Sequence, residues 1–137
     1  MKLPAGSFIA SGPVIIENRR VLLNKELKKD GSISPWFFPG GEVEDFDLSL
    51  EETCAREAKE EMGIEIRGLK PLRTILLKNT EGFIILVHFL AERKGEIKPG
   101  PMITDWAWHP IDALPKDCAS NVYTIIEDCK NMSDFAL

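Results

Sequence analysis

The sequence predicts an α+β fold, a mixed β-sheet packed between helices as an α/β/α sandwich. Strand-like apolar runs outnumber helical ones, and the two do not alternate in the βαβ manner that builds a parallel sheet. Phe83 to Leu90 is apolar almost without alternation, the pattern of a central strand covered on both faces. A chain of 137 residues without repeats, low-complexity tracts or a composition shift reads as one domain spanning 1–137.

The elements follow in order. Phe8 to Ile16 and Arg20 to Leu27 read as strands, and the polar stretch Glu17-Asn18-Arg19 turns them into a hairpin. Lys28 to Ser32 is a charged loop, and Trp36-Phe37-Phe38 a short strand stopped by Pro39-Gly40-Gly41. Ser49 with Glu52 fits a capping box that opens a helix running to Met62, with Gly63 at the left-handed exit. Ile64 to Ile66 and Leu72 to Leu77 are two further strands, followed by a turn at Asn79 to Gly82 and then the central strand. Lys94 to Thr104, with Pro99-Gly100-Pro101, is a loop, and Asp105 to His109 one more strand. Val122, Ile125, Ile126 and Cys129 recur at helical spacing, giving a closing helix capped near Ser120.

Composition narrows the function. Hydrophobic residues at 44% and charged residues at 28% exclude disorder, and no apolar run is long enough to span a membrane. The N-terminus lacks the apolar stretch of a signal peptide, and the three cysteines, Cys54, Cys118 and Cys129, form no CxxC pair. A cytoplasmic protein, monomer or homodimer, is expected. A net charge of −5 argues against stable nucleic-acid binding through the phosphate backbone. It is compatible with a small phosphorylated partner whose charge a divalent cation offsets.

The helix from Leu50 to Met62 carries the chemistry. At about 100° per residue, Glu57, Glu60 and Glu61 share one face, beside an apolar stripe of Leu50, Cys54, Ala58 and Met62. Glu57 and Glu61 repel at i,i+4 by a few tenths of a kcal/mol. Glu60 and Glu61 also sit in the last turn, where the helix dipole disfavours each acid by about 0.3–1 kcal/mol. Arg56 offsets part of this through an i,i+4 contact with Glu60. Three convergent carboxylates suit a hard cation, Mg²⁺ or Mn²⁺, and not zinc. A solvated, charge-rich surface helix is the alternative reading of this segment alone. The preceding Pro39-Gly40-Gly41 permits close backbone approach, and the Gly40 carbonyl is a candidate further ligand.

Gly40-Gly41-Glu42-Val43-Glu44 followed by Ala55-Arg56-Glu57-Ala58-Lys59-Glu60-Glu61-Met62-Gly63-Ile64 resembles the Nudix box of the Nudix hydrolases. That pattern runs glycine, five residues, glutamate, seven residues, then Arg-Glu-apolar-x-Glu-Glu-x-Gly-apolar; its second half matches throughout. The lead-in Trp36 to Gly41, the strand Val21 to Lys25 and the ending Trp108 to Pro115 are similar to the family as well, so the resemblance spans about residues 8–130. One departure stands out: Asp47 occupies the place of the first glutamate, with eight residues between it and Arg56 instead of seven. In the family that acid orients the arginine, so Asp47, Glu44 or Glu51 is expected to pair with Arg56.

The resemblance implies metal-dependent hydrolysis of a nucleoside diphosphate linked to another moiety, by attack of water on a phosphorus. Glu57, Glu60, Glu61 and the Gly40 carbonyl would be metal ligands, and Arg56 would hold the carboxylates in place. The general base would be Glu60 or Glu57, or an acid from a later segment: Asp105, with Glu96 and Glu81 behind it. Lys25 is a candidate for substrate phosphates, and Trp36, Trp106 or Phe83 for stacking on a base, against ordinary core packing. His88 reads as a satisfied core or pocket histidine. The loops Leu27 to Ser34 and Lys94 to Thr104 are expected to set selectivity. The substrate would be a nucleoside or deoxynucleoside triphosphate, or else ADP-ribose, a nucleotide sugar or a dinucleoside polyphosphate. A non-catalytic nucleotide-binding module is the reading from another class, prompted by the irregular half of the box.

Overall fold

The computed structural model describes residues 2–132, so the ends of the expected 1–137 domain lie outside the described residues. Within it the chain forms β1 (Phe8–Val14), β2 (Ile16–Glu17), β3 (Arg20–Glu26), β4 (Gly41–Glu42), α1 (Leu50–Met62), β5 (Glu65–Lys78), β6 (Phe83–Lys94), β7 (Ile103–Pro110) and α2 (Ser120–Lys130). The class is the expected α+β, with one refinement: the strands divide into two sheets. One is four-stranded and mixed, in the order β4-β1-β6-β5, and the other three-stranded, in the order β2-β3-β7. β1 and β6 run parallel; the remaining strand pairs are antiparallel.

The division corrects the expected first hairpin. Only Ile16 and Glu17 fold back on Arg20 and Val21, through a tight turn in which Asn18 and Arg19 take positive φ of 52° and 60°. Phe8–Val14 instead joins the other sheet beside β6. Trp36 to Phe38 makes isolated bridges to Asn24 and Cys118 in place of a strand. The two strands expected at 64–66 and 72–77 are one, β5, whose register shifts twice and whose Gly68 takes φ 64°. β5 is an edge strand, which is why Pro71 is tolerated within it. β6 does lie between two strands, as its apolar run implies.

The helix ends follow from local chemistry. Ser49 Oγ accepts from Glu52 N at 3.0 Å, but the Glu52 carboxylate accepts from Leu48 N, one residue before the cap. At the other end Gly63 (φ 67°) donates its N–H to Lys59 O. The loop after β6 supplies two more donors to α1's terminal carbonyls: Lys98 N to Met62 O and Gly100 N to Glu61 O, each 2.8 Å. α2 begins after Ala119 without a side-chain cap, so Ser120 does not act as one.

β3 shows how the layers stack. Val21 and Leu23 pack with Val122, Ile125, Ile126 and Cys129 of α2, whereas Leu22 packs with Ala58 and Met62 of α1. Alternation along a strand sends neighbours to opposite faces, so the two helices cover opposite sides. Asn24 and Glu26 therefore continue the α1 side, and Lys25 the α2 side. A third cluster joins α1 to the mixed sheet through Cys54, Val87 and Phe89.

Gly12 marks the tightest crossing. A Cβ there would collide with the Pro39 carbonyl oxygen, and one on Gly40 would come within 2.8 Å of Ser11 O. Gly12→Ala is expected to force β1 and the 39–41 turn apart and to cost roughly 1–3 kcal/mol, as overpacking does. A urea unfolding midpoint unchanged within error would contradict this.

Candidate active site

Arg56 organises the acid-bearing face of α1. Its guanidinium grips Asp47 with two parallel bonds, Nε to Oδ1 at 3.0 Å and Nη2 to Oδ2 at 2.8 Å. Nη1 donates to Glu57 Oε1 at 2.8 Å and to Glu60 Oε2 at 3.2 Å, and Nη2 to the Glu42 carbonyl at 3.0 Å. Phe46 lies over the guanidinium, 5.3 Å from it to the ring centroid. Of the three partners expected for Arg56, Asp47 is the one that pairs with it. The extra residue before the helix closes a turn in which Asp47 N donates to Glu44 O, and that turn brings the shorter side chain within reach. Asp47 also accepts from Glu44 N and Thr53 Oγ1, both at 2.9 Å, and its side chain is almost fully covered. Arg56, with those two donors, holds its carboxyl well below the usual carboxylate range despite burial.

Glycines admit the acids. A Cβ on Gly41 would strike the Glu57 carboxylate, so only glycine lets that group lie against the turn. Gly40 N donates to Glu61 Oε2 at 3.3 Å, and Asn24 Nδ2 to the same oxygen at 3.2 Å. The Gly40 backbone thus touches the acid cluster, here through its N–H. Burial raises the Glu57 carboxyl, with Arg56 pulling the other way. Burial, then the charge of Glu26, pushes Glu61 up to about 8, against the opposing pull of the Gly40 and Asn24 donors.

Glu57, Glu60 and Glu61 line one cavity of about 300 Å³ together with Glu26, Gly100, Pro101, Met102 and Ile103. The loop at 94–104, expected to bear on selectivity, reaches this cavity because Gly100 seats against α1. A side chain there would come within 2.6 Å of Glu60 O. Among the described residues no three acid, histidine or cysteine groups already form a closed ligand cluster. Glu60 turns outward to Arg56, with 57% of its side chain exposed, while Glu57 and Glu61 are held inward. The donor set nevertheless fits a divalent cation. It is all oxygen and carries excess negative charge, and the enclosed Asn24 Oδ1 accepts no hydrogen bond among the described residues.

Lys25, Trp36 and Asp105 lie elsewhere. Lys25 Nζ pairs with Asp117 Oδ2 at 2.6 Å and stands 5.1 Å from the Trp36 ring centroid; Trp36 meets His109 edge-on at 4.5 Å. Asp105 is the cross-strand neighbour of Lys25 and shares its face, so the sheet separates all three from the carboxylates. Trp106 packs in the α1-side core, and Phe83 stacks with Lys78. His88 is a satisfied core histidine. Its Nδ1 lies 2.9 Å from Arg73 O and its Nε2 3.0 Å from Asn121 Nδ2, which fits a neutral ring, and burial lowers its pKa.

Glu26, which lines the cavity, and Asn24, which lies behind it and holds Glu61, are residues that the sequence reading missed. Their signal was available: Leu22, Asn24 and Glu26 alternate on one strand face, so polar groups continue a buried apolar position.

A family model described as NUDIX domain matches residues 9–129. An 8-oxo-dGTP diphosphatase of Proteus vulgaris is 28% identical over 103 residues, which cover 69% of this chain and 91% of that protein. A MutT NUDIX hydrolase from Burkholderia pseudomallei superposes with a TM-score of 0.78 at 23% identity, covering 88% of this chain and 96% of the other. A C. elegans Ap4A hydrolase, solved as a binary complex, gives 0.73 at 17% identity, covering 90% and 95%. The two structural likenesses establish the fold.

The raised Glu61 carboxyl carries a pH signature. Its pKa of about 8 lies above the unfolded value near 4.5, so the folded state holds the proton more tightly. Stability of the metal-free protein is therefore highest below about pH 4.5 as far as this group is concerned, and is lost as pH rises towards 8. Melting temperatures in EDTA should fall across that window, and Glu61→Gln should flatten the slope. An equal slope in the variant would refute the assignment.

Proposed function

The chain belongs to the NUDIX domain family, and from that premise we propose that it is a divalent-metal-dependent pyrophosphohydrolase acting on a nucleoside or deoxynucleoside triphosphate. The observation that carries the reading is the acid face of α1, where Glu57 and Glu60 held by Arg56, and Glu61 held by Gly40 and Asn24, line one cavity. Those three glutamates would hold Mg²⁺ or Mn²⁺, with the Gly40 carbonyl as a further ligand. When bound, the cation neutralises phosphate charge and makes a bound water more acidic.

The protein's own residues supply the rest. Arg56 fixes the orientation of Glu57 and Glu60, and Asp47 fixes Arg56, so the carboxylates keep their places while charge changes in front of them. Glu60, the acid most open to solvent, is assigned as the group that takes the proton from the attacking water. Water attacks a phosphorus beside the α–β bridge oxygen and gives its proton to Glu60, the bond from that phosphorus to the bridge oxygen breaks, and the oxygen leaves with the electron pair on the other fragment. The products are a nucleoside monophosphate and pyrophosphate.

The triphosphate class rests on the 8-oxo-dGTP diphosphatase relative. ADP-ribose, nucleotide sugars and dinucleoside polyphosphates are the second reading, and the likeness to an Ap4A hydrolase keeps them in the panel. The non-catalytic alternative loses its motive, because the irregular half of the box still delivers an acid to Arg56. Three cysteines without a disulfide go with the proposed cytoplasmic setting.

A nucleotide panel with Mg²⁺, including 8-oxo-dGTP, should yield monophosphate and pyrophosphate resolved by anion exchange; folded protein that turns over no member would remove the proposal. Glu60→Gln should lower kcat by about 10²–10⁴-fold, the range for a general base, with an unchanged circular dichroism spectrum. Wild-type turnover in that variant would sink the role given to Glu60.

A further inference from the structure

Strand β3 brings Glu26 to the cavity lined by helix α1 and residues 100–103, and Asn24 to the Glu61 carboxylate behind it. Glu26 lines it with Glu57, Glu60 and Glu61, and its charge acts on both Glu57 and Glu61. The register shift between Lys25 and Glu26 sets Glu26 opposite Ile103, itself a cavity residue. Asn24, two residues back on the same face, has no exposed surface. Its Nδ2 reaches Glu61, while its Oδ1, also enclosed, has no donor among the described residues.

Oxygen acceptors thus outnumber donors around this cavity. Among the described residues the donors to the three glutamates are Arg56 Nη1, Gly40 N and Asn24 Nδ2, and each is already used by a carboxylate. Unsatisfied acceptors of like polarity are stabilised together by a cation and by little else. Among the described residues the charge of Lys28 is what offsets the crowding at Glu26, whereas Asp47 has a two-bond arginine and two further donors.

We propose that Glu26 and Asn24 are further oxygen ligands of the divalent-cation site, which is therefore built from strand β3 as well as from helix α1. The inference rests on the reading that Glu57, Glu60 and Glu61 hold such a cation, and assigns to the same site two residues outside the box. A carboxylate and a carboxamide oxygen from a strand that is locked to β7 give the site a rigid second wall facing the helix.

Binding of Mn²⁺ alone, without nucleotide, tests this by electron paramagnetic resonance of the unbound ion, alongside melting temperatures in EDTA. Glu26→Gln should weaken Mn²⁺ binding about tenfold or more while raising the metal-free melting temperature, because a repelling charge is gone. Glu26→Asp keeps the charge but withdraws the oxygens, and should also weaken binding; wild-type affinity there would overturn ligation by Glu26. Asn24→Leu, similar in volume but without the oxygen, should weaken binding, and unchanged affinity would overturn the part given to Asn24. Glu57→Gln and Glu61→Gln separate the two readings. If they weaken binding while all three β3 variants match wild type, the strand assignment alone falls. If the wild-type protein itself takes up no Mn²⁺, both readings fall.

Discussion

One guanidinium bears the arrangement of this site. Arg56 binds Asp47 on one side and Glu57 and Glu60 on the other, and ties them to the Glu42 backbone before the helix. Its planar fork suits this task as an ammonium would not, because separate nitrogens serve separate carboxylates at fixed angles. The pairing stabilises the charged form of the arginine further, and the charge of Asp47 offsets it locally, so the remaining acids are left in excess. That excess is what makes the cavity receptive to a divalent cation.

The sheet sorts polar groups between two faces. On β3, Asn24 and Glu26 follow Leu22 toward α1, while Lys25 follows Leu23 toward α2 and meets Asp117 and Trp36. A strand thus serves the acid cluster of α1 with one set of side chains and the Lys25–Asp117 pair beside Trp36 with the other. Hydrophobic packing fixes the assignment, since a one-residue slip would exchange Leu22 with its neighbours and move both polar sets to the wrong side.

Stability and chemistry pull in opposite directions at the end of α1. Burial and the charges of neighbouring acids disfavour Glu57 and Glu61, the helix dipole adds to this at Glu61, and Glu61 responds with a carboxyl that resists ionisation. The fold contains the conflict with short-range donors from neighbouring segments. The 94–104 loop donates to the terminal carbonyls, and Gly40 and Asn24 donate to Glu61. Gly12, Gly40, Gly41 and Gly100 allow these segments to come close enough.

Local pattern alone determined the α+β class, the span and ends of α1, the acid face of that helix and its kinship with the Nudix box. Each depends on residues within a few turns of one another, where periodicity and capping operate. Tertiary structure decided what lies far apart in sequence. It split the strands into two sheets, because β1 finds a parallel partner in β6 that is distant along the chain. It selected Asp47 among three acids for Arg56, because the turn before the helix sets the reach. It brought Glu26 and Asn24 to the glutamates of α1 and carried Lys25, Trp36 and Asp105 away from them. Which face of a strand looks at which helix follows from packing between layers, and no single segment encodes that.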